Sequence, residues 1–377
     1  MNLKQRLDAF RETMKQQDID LSIVMNFENQ MYFTGFKAVI YSRPIILFIS
    51  QENIEVIAPK LEEAHFRDKT GIQDIYTYTE IPVTDDVPTH YQTVFNDLLE
   101  KYQNVSTIGI ETGFLPTQFY LNIVSHNFKV KDIGQALVEQ RTYKYEDEQQ
   151  AIRESGEIVS QAVAQTIEHA KAGLTEMDID NFGNSYLFDT ISQNYPDAEF
   201  GFFVMSPSGI KRSTMPHTFS NTKQIQQGDV IVHSRQLELN GYRAECERTF
   251  FVGEPTDEQR HAFEAMVEAH KAALDFIEVG VTANAVDQVA RTILEAEGYG
   301  DYISHRTGHG IGIGQHEEPS LRFDNELELK EGMVFCVEPG IYIPGVGGFR
   351  HSDTVILKKE GTEVVTNYPH DLEDLIK

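Results

Sequence analysis

Nearly all side chains that could carry out chemistry lie in the second half of the chain. They are His, Glu and Ser residues, in chain order His217, Ser234, Glu245, Glu247, His309, His316, Glu338 and Ser352. A strand over Tyr242–Phe251 would place Glu245 and Glu247 on the same face, because side chains alternate along a strand. Burying two carboxylates on one apolar face is unfavourable without cationic partners. With His and Glu on other predicted strands, this pair predicts a functional site rather than an isolated structural ion pair.

The elements that would position these residues come in pairs, two helices followed by two strands, which favours an α+β domain with a largely antiparallel sheet. Four helices are predicted. The first ends before Gly173 and the second begins at Thr175. The third runs from the Thr256/Gln259 capping box to about Phe276, and the fourth from Thr282 to near Gly298. The predicted β-rich stretches are Val230–His233, Tyr242–Phe251, Met333–Tyr342 and Thr354–Leu357. The paired order occurs at 147–251 and again at 256–357, which indicates an internal duplication.

The first half has the pattern of a separate α/β domain around a mixed sheet. Apolar residues at three- or four-residue spacing predict a helix over 3–17. Short apolar runs predict strands at Leu21–Met25, Ile45–Ile49, Ile54–Ala58 and Thr107–Glu111. The polar segment RTYKYEDEQQ lies close to the predicted boundary, so we expect an N-terminal domain over 1–135 and a C-terminal domain over 136–377.

Composition excludes several classes of function. The net charge of −27 argues against nucleic-acid binding, which requires clusters of Lys and Arg. The chain has no run of about 18 apolar residues that would predict a membrane span, and the charged N-terminus has no secretory signal pattern. Its two cysteines have no metal-like spacing and fit a reducing compartment. We therefore expect a cytoplasmic protein.

Three segments resemble the signatures of the creatinase and Xaa-Pro aminopeptidase–prolidase family, the pita-bread family. They are GDVIVHSRQLELNGYRAECERTF, HRTGHGIGIGQHEEP and EPGIYIPGVGGFR. The resemblance implies a C-terminal pita-bread domain, a pseudo-duplicated antiparallel sheet covered by helices, preceded by a mixed-sheet α/β domain. Peptidases of this family hold two metal ions with two Asp, one His and two Glu. The matching positions here are Ser234, Glu245, His309, Glu338 and Ser352, and neutral Ser is a poor ligand for a hard divalent ion.

Within the family, the site pattern is closest to creatinase, a metal-independent enzyme that splits creatine into sarcosine and urea. His217 stands eleven residues before the pair Gly228-Asp229, the spacing of the catalytic His in creatinase. Glu247 and Glu338 match its two guanidinium-binding Glu residues. The resemblance therefore implies a hydrolase of a small guanidino or amidino carboxylate, without a metal or another cofactor; cyclic amidines such as ectoine are a neighbouring substrate class.

The resemblance also assigns roles. His217 would be the general base and acid, because His titrates near neutral pH. Glu247 and Glu338 would bind the planar cation through charge-assisted hydrogen bonds. Further substrate-binding candidates are Tyr41, Arg43, Glu245, His309, His316 and Arg322; Arg322 is included because a carboxylate-binding Arg of creatinase falls at Ser320.

Two other interpretations of the sequence remain open. One is a metallopeptidase of the Xaa-Pro dipeptidase type, in which Glu245, His309 and Glu338 could still bind one ion. The other is a non-catalytic pita-bread module that binds a protein. In each enzymatic case we expect a two-fold homodimer. Tyr41 and Arg43 match residues that reach the neighbouring subunit's site, so Arg43 is expected to contribute to the site of the other subunit.

Overall fold

The computed structural model describes residues 2–39, 42–82 and 87–377. The chain divides into two compact units, Met1–Arg141 and Thr142–Lys377. Within the described residues, no helix is both long and apolar enough to cross a membrane.

The first unit contains a six-stranded mixed sheet with the strand order β4-β3-β2-β1-β5-β6. The strands are β1 (Leu21–Val24), β2 (Ile46–Ser50), β3 (Ile54–Pro59), β4 (Ile75–Tyr78), β5 (Thr107–Ile110) and β6 (Lys129–Asp132). The helices are α1 (Leu3–Gln16), α2 (Phe27–Thr34), α3 (Glu63–Thr70), α4 (Tyr91–Lys101), α5 (Thr117–Ser125) and α6 (Gly134–Thr142). Strand β1 pairs antiparallel with β2 and parallel with β5, which confirms the predicted mixed sheet. Its core includes Ile23, Phe48, Phe95 and Phe119.

The second unit is built on an antiparallel sheet with the strand order β11-β10-β12-β15-β9-β8-β7, and β16 pairs with β15. The strands are β7 (Phe200–Met205), β8 (Asp229–Leu239), β9 (Tyr242–Val252), β10 (Gly308–Gly310), β11 (Glu317–Leu321), β12 (Val334–Val337), β13 (Gly340–Ile343), β14 (Gly347–Arg350), β15 (Ser352–Lys358) and β16 (Gly361–Val364). The helices are α7 (Glu146–Glu168), α8 (Glu176–Asn194), α9 (Gly209–Arg212), α10 (Asp257–Phe276) and α11 (Ala283–Ala296). This architecture confirms the predicted α+β class.

Local sequence explains the helix boundaries. Helix α10 begins where the Thr256 hydroxyl accepts from the Gln259 backbone and the Gln259 side chain accepts from the Thr256 backbone, which confirms the predicted capping box. Helix α7 packs against β8 and β9. At that interface the Ser155 hydroxyl donates to the Tyr242 carbonyl over 2.9 Å.

The predicted β-rich stretch Met333–Tyr342 contains two strands. The segment forms β12, which pairs with β10 and β15, and β13, which pairs only with β14 among the described strands. Pro339 separates them, because proline has no N–H group to continue the ladder. Glu338 therefore stands at the end of β12, where its backbone N–H donates to the Thr307 carbonyl over 2.6 Å.

Candidate active site

The candidate site lies on one face of the large sheet, across three neighbouring strands. Glu247 on β9 pairs with Ser234 on β8 and with Ser352 on β15, and Gln236 on β8 pairs with Glu245. Both glutamates, Ser234 and Gln236 line one cavity of about 230 Å³. This confirms that Glu245 and Glu247 share a face.

Glu247 is bound by an arginine of the same chain. Arg350, at the end of β14, places its guanidinium against both carboxylate oxygens, with Nη2 2.8 Å from Oε1 and Nε at Oε2. Both side chains are about 3% exposed, and Arg350 Nη1 also donates to the Tyr342 hydroxyl over 3.1 Å. Burial raises the pKa of Glu247 to about 7 despite the opposing effect of Arg350. The cationic partner that two buried carboxylates require is therefore Arg350.

Glu245 receives hydrogen bonds from two neutral side chains. Ser352 Oγ donates to its Oε1 over 2.7 Å, and the Gln236 amide donates to its Oε2. Burial acts to raise the pKa of Glu245, but the nearby His309 and these two hydrogen bonds outweigh burial, and the pKa is lowered. The other end of the amide, Gln236 Oε1, is a buried acceptor without a hydrogen-bond partner in the described structure.

His309 presents one ring nitrogen to the carboxylates. Its Nδ1 lies 2.9 Å from the Gly310 carbonyl oxygen, which can only accept, so Nδ1 carries the proton. Burial lowers the pKa of His309, which favours the neutral ring. The other ring nitrogen, Nε2, is then unprotonated, and its lone pair faces Glu338 Oε1 at a distance of 3.5 Å.

The glycines on either side of His309 fix its place in the sheet. A Cβ on Gly308 would lie 2.0 Å from the Cys336 carbonyl oxygen, and a Cβ on Gly310 would lie 2.2 Å from the Glu318 carbonyl oxygen. Only glycine therefore permits β10 to lie this close to its neighbours.

Glu338 has no hydrogen-bond donor on its carboxylate among the described residues. Its nearest nitrogen atoms are the neutral His309 Nε2 at 3.5 Å from one oxygen and Arg350 Nε at 3.8 Å from the other. Burial raises the pKa of Glu338 well above its usual value, although Arg350 acts against the shift. The site thus contains a carboxylate that lacks a full cationic partner.

A second cavity of about 680 Å³ continues from Glu338 and is lined by four arginines, Arg291, Arg306, Arg322 and Arg350. Arg291 pairs with Asp287, and Arg322 pairs with Asp324. Arg306 has no carboxylate partner in the part of the chain that the structure describes. Its guanidinium contacts Ser320 Oγ at 3.3 Å and His316 Nδ1 at 3.1 Å.

Two histidines line both cavities. His217 makes no hydrogen bond to another described residue, and partial burial, assisted by the charge of Arg350, lowers its pKa. His316 stacks on His309 with ring centroids 3.9 Å apart, and burial lowers its pKa to about 4. Both rings are thus neutral at pH 7 and can accept or donate a proton.

One side of the smaller cavity is apolar. Phe203 and Met205 on β7, which pair with Gln236 and Ser234, line it together with Phe219. The rings of Phe203 and Phe219 meet edge to face at 5.6 Å. A hydrophobic side chain would therefore fit there.

The structure brings most predicted site residues together, and no observation yet tests their roles. His217, Glu245, Glu247, His309, His316 and Glu338 line the smaller cavity, and Arg322 lines the larger one. Tyr41 lies outside the described residues. Arg43 forms an ion pair with Glu80 of the first unit. The homodimer and the contribution of Arg43 to another subunit stay predictions.

Sequence reasoning missed Arg350, Arg306 and Gln236, and dismissed Cys336. The signal for Arg350 was the unfavourable burial of two same-face carboxylates, which called for a buried cation. Cys336 has no motif spacing, yet its sulfur lies within 4.8 Å of ligand atoms of Glu245 and His309. Burial raises the pKa of this thiol well above its usual value.

The chain belongs to metallopeptidase family M24, whose family model matches residues 150–359. Residues 6–143 match the creatinase/prolidase N-terminal domain. The resemblance seen in the sequence is confirmed, and so is the general class, an enzyme that is a hydrolase.

Relatives cover nearly the whole chain. A Xaa-Pro dipeptidase of Pyrococcus furiosus is 30% identical over 98% of this chain and 100% of its own length. The crystal structure of an X-Pro aminopeptidase from Thermotoga maritima superposes with a TM-score of 0.85 at 28% identity, covering 98% of this chain and 99% of that one. A Pyrococcus horikoshii prolidase also gives 0.85, at 27% identity and the same coverage.

The expectation of a metal-independent, creatinase-like amidinohydrolase is wrong. The family is one of metallopeptidases, and these relatives are named as Xaa-Pro dipeptidases, X-Pro aminopeptidase and prolidase. The physical reason is that Glu247 is not free to bind a substrate cation. The position expected to hold a substrate cation is already filled by the Arg350 guanidinium.

The side chains of the site determine how many metal ions it could hold. Two divalent ions do not fit, because Ser234 and Ser352 are neutral hydroxyls and Glu247 is bound to Arg350. One ion fits better, because ligand atoms of Glu245, His309 and Cys336 lie within 4.8 Å of one another and His309 Nε2 also lies 3.5 Å from Glu338 Oε1. Imidazole and carboxylate ligands suit Zn²⁺, Mn²⁺ or Co²⁺.

Proposed function

We propose that this chain is a metal-dependent peptidase of the Xaa-Pro dipeptidase type. The observation that carries the proposal is the His309–Glu338 contact. A neutral imidazole lone pair and an ionised carboxylate repel each other at 3.5 Å, so the pair needs either a proton, which the raised pKa of Glu338 would keep there, or a metal cation that displaces it and coordinates both groups.

His309, Glu245 and Glu338 would hold this ion. The carbonyl of Gly310 fixes the ring orientation and tautomer of His309, as hydrogen-bonded partners of metal ligands commonly do. When bound, the ion supplies Lewis acidity, which polarises a peptide carbonyl and lowers the pKa of water.

Arg306 would bind the free carboxylate of a dipeptide. It is the cavity arginine without a carboxylate partner, and its planar guanidinium can form two parallel hydrogen bonds with a carboxylate. Its contact with Ser320 Oγ holds it in the larger cavity. The proline ring and its carboxylate would then occupy that cavity.

The first residue of the dipeptide would occupy the smaller cavity. Phe203, Met205 and Phe219 form an apolar wall there, which favours substrates with a hydrophobic first side chain. The scissile bond would then lie where the two cavities meet.

His217 would supply the proton for the leaving nitrogen. It lines both cavities, so it stands beside the bond that is broken. Partial burial lowers the pKa of His217, so the ring is neutral at pH 7 and would take a proton from the attacking water before passing it to the leaving nitrogen.

The test is hydrolysis of Leu-Pro, with Pro-Leu as the reversed-sequence control. We expect activity on Leu-Pro that chelator abolishes and Mn²⁺ or Co²⁺ restores, and no cleavage of Pro-Leu. Glu338→Gln should lose at least about 100-fold in activity with added Mn²⁺. The surface variant Glu254→Gln is the matched control and should keep full activity, since Glu254 is 79% exposed.

Two results would contradict the proposal. One is Leu-Pro cleavage that continues unchanged in chelator. The other is an absence of cleavage of any Xaa-Pro dipeptide by folded protein loaded with Mn²⁺.

A further inference from the structure

We propose that the thiolate of Cys336 is a ligand of the metal ion, together with His309 and Glu245, and that the site therefore selects Zn²⁺ over Mn²⁺. The inference rests on the proposed function. It adds a sulfur ligand to the set named there and a preference among divalent ions.

The strand register places Cys336 on the face of the site. Cys336 on β12 pairs directly with His309 on β10 and with Thr354 on β15. Residues directly opposite each other in an antiparallel pair project their side chains to the same face. The Thr354 hydroxyl in turn accepts from the Glu245 backbone N–H over 2.8 Å and donates to the Glu245 carbonyl over 2.9 Å. His309, Cys336, Thr354 and Glu245 thus form one row across four strands.

Distances within this row suit one metal ion. Ligand atoms of Glu245, His309 and Cys336 all lie within 4.8 Å of one another. Metal–ligand bonds of about 2.0–2.3 Å place the ligand atoms of a tetrahedral ion about 3–4 Å apart, so small side-chain movements would close the set. Glu338 stands two residues after Cys336, and its Oε1 lies 3.5 Å from His309 Nε2, where it can supply a fourth ligand.

Polar atoms around this row lack donors. The lone pair of His309 Nε2 faces a carboxylate, and Gln236 Oε1 is a buried acceptor without a hydrogen-bond partner in the described structure. The fully buried Cys336 sulfur has a long contact, 3.6 Å, with Thr354 Oγ1. Since Thr354 donates its own proton to the Glu245 carbonyl, the thiol is the donor in that contact. The sulfur lone pairs therefore remain available to a cation.

The second cysteine of the chain has a different environment. Cys246 on β9 is equally buried, but it alternates with Glu245 and Glu247 and so faces the other side of the sheet. It belongs to no cluster of potential metal ligands within the described residues. Cys336 is therefore distinguished by its neighbours rather than by its burial.

A thiolate ligand changes which ions the site prefers. Thiolate is a soft ligand that favours Zn²⁺, whereas Mn²⁺ prefers carboxylate, carbonyl and water oxygens. On metal binding the S–H bond of Cys336 breaks, a metal–sulfur bond forms, and the proton leaves to solvent. Replacement of the thiol should therefore weaken Zn²⁺ binding far more than Mn²⁺ binding.

The experiment titrates the metal-free protein with Co²⁺, a spectroscopic probe of zinc sites, and records the near-ultraviolet absorption. Cobalt bound to a thiolate gives an intense charge-transfer band, which cobalt bound only by oxygen and nitrogen lacks. The band should appear in the wild type and be absent from Cys336→Ser. Cys246→Ser is the matched control and should keep the band, because it leaves Cys336 as the sole thiol of a chain with two cysteines. Equilibrium dialysis measures the bound cobalt separately.

Isothermal titration provides a second readout. Cys336→Ser should raise the Kd for Zn²⁺ about tenfold or more and the Kd for Mn²⁺ less than about threefold. Equal changes for the two ions would overturn the inference. So would bound cobalt without the band in the wild type, or a band of full strength in Cys336→Ser, and each of these results would leave the proposed peptidase intact.

The control variant also covers the case in which Cys336→Ser does not fold. Bound cobalt without the band in Cys246→Ser would by itself exclude Cys336 as a ligand. Wild-type protein that binds none of Zn²⁺, Co²⁺ and Mn²⁺ would overturn the metal-dependent function itself.

Discussion

His309 and Glu338 face each other with 3.5 Å between Nε2 and Oε1, while the opposite ring nitrogen of His309 donates to the Gly310 carbonyl. Strand β10 positions the ring, and the end of β12 positions the carboxylate. Since the proton of His309 is on the far nitrogen, the two facing atoms are both acceptors. The contact therefore requires a proton on Glu338, whose pKa burial raises, or a metal cation that replaces that proton.

Replacement of His309 by Gln should remove this ligand without changing the backbone. We expect Mn²⁺ affinity to fall at least about 10- to 100-fold. Isothermal titration of the metal-free protein measures the change. His169→Gln, an exposed histidine of the same unit, should bind like the wild type, and equal Kd values for both variants would remove His309 from the metal site.

Gly310→Ala should disturb the same ligand through the backbone. The added Cβ would lie 2.2 Å from the Glu318 carbonyl oxygen, so β10 and β11 must separate. We expect a loss of about 1–3 kcal/mol in the free energy of unfolding and weaker Mn²⁺ binding. Gly113→Ala is the control, because nothing lies within 4 Å of its added Cβ. Equal urea midpoints for the two variants would show that this close approach is unimportant.

Arg306→Gln tests recognition of the substrate carboxylate. The variant should raise KM for Leu-Pro by about 10-fold or more, because it loses a charge-assisted pair, while KM for Leu-Pro amide should change little. The ratio of the two KM values is therefore the informative quantity. An equal rise for acid and amide would mean that Arg306 does not bind the carboxylate.

A histidine behind the catalytic face should make stability depend on pH. His270 on α10 is fully buried, with its Nε2 3.3 Å from Asp353 Oδ2. Asp353 also contacts Arg248 and His370, and the His351 ring lies nearby. Burial lowers the pKa of His270 to about 3, although Asp353 acts against the shift.

The sign follows from proton uptake. Below about pH 6.5 the unfolded chain protonates this histidine, whereas the folded chain does so only near its lowered pKa. Stability should therefore fall as pH drops from about 6.5 towards 3, by about 1.4 kcal/mol per pH unit for one such histidine. Urea unfolding at two pH values should show a smaller dependence in His270→Leu than in His169→Leu. An identical dependence in both would contradict the argument.

Local patterns were sufficient for much of the fold. Alternation along β9 predicted that Glu245 and Glu247 share a face, and the Thr256/Gln259 capping box predicted the start of α10, because both effects act within a few residues. The β-rich character of Met333–Tyr342 was predicted, but its division at Pro339, which puts Glu338 directly after β12, was not.

The decisive contact was not predictable from local pattern. Arg350 and Glu247 are 103 positions apart, and tertiary pairing, including that of β15 with β9, brings their segments together. Because this contact was not predicted, Glu247 was assigned to binding a substrate cation. That assignment led to the wrong reaction class. Arg306 was missed for the same reason, since its lack of a carboxylate partner is a property of the folded chain.

The most direct test of the account is an anomalous difference map from crystals of the wild-type protein grown with Mn²⁺. The account predicts one peak per chain, in contact with His309 Nε2, Glu245 and Glu338, and no peak beside Glu247. A map without a peak at His309, from crystals whose dissolved protein still hydrolyses Leu-Pro, would contradict it.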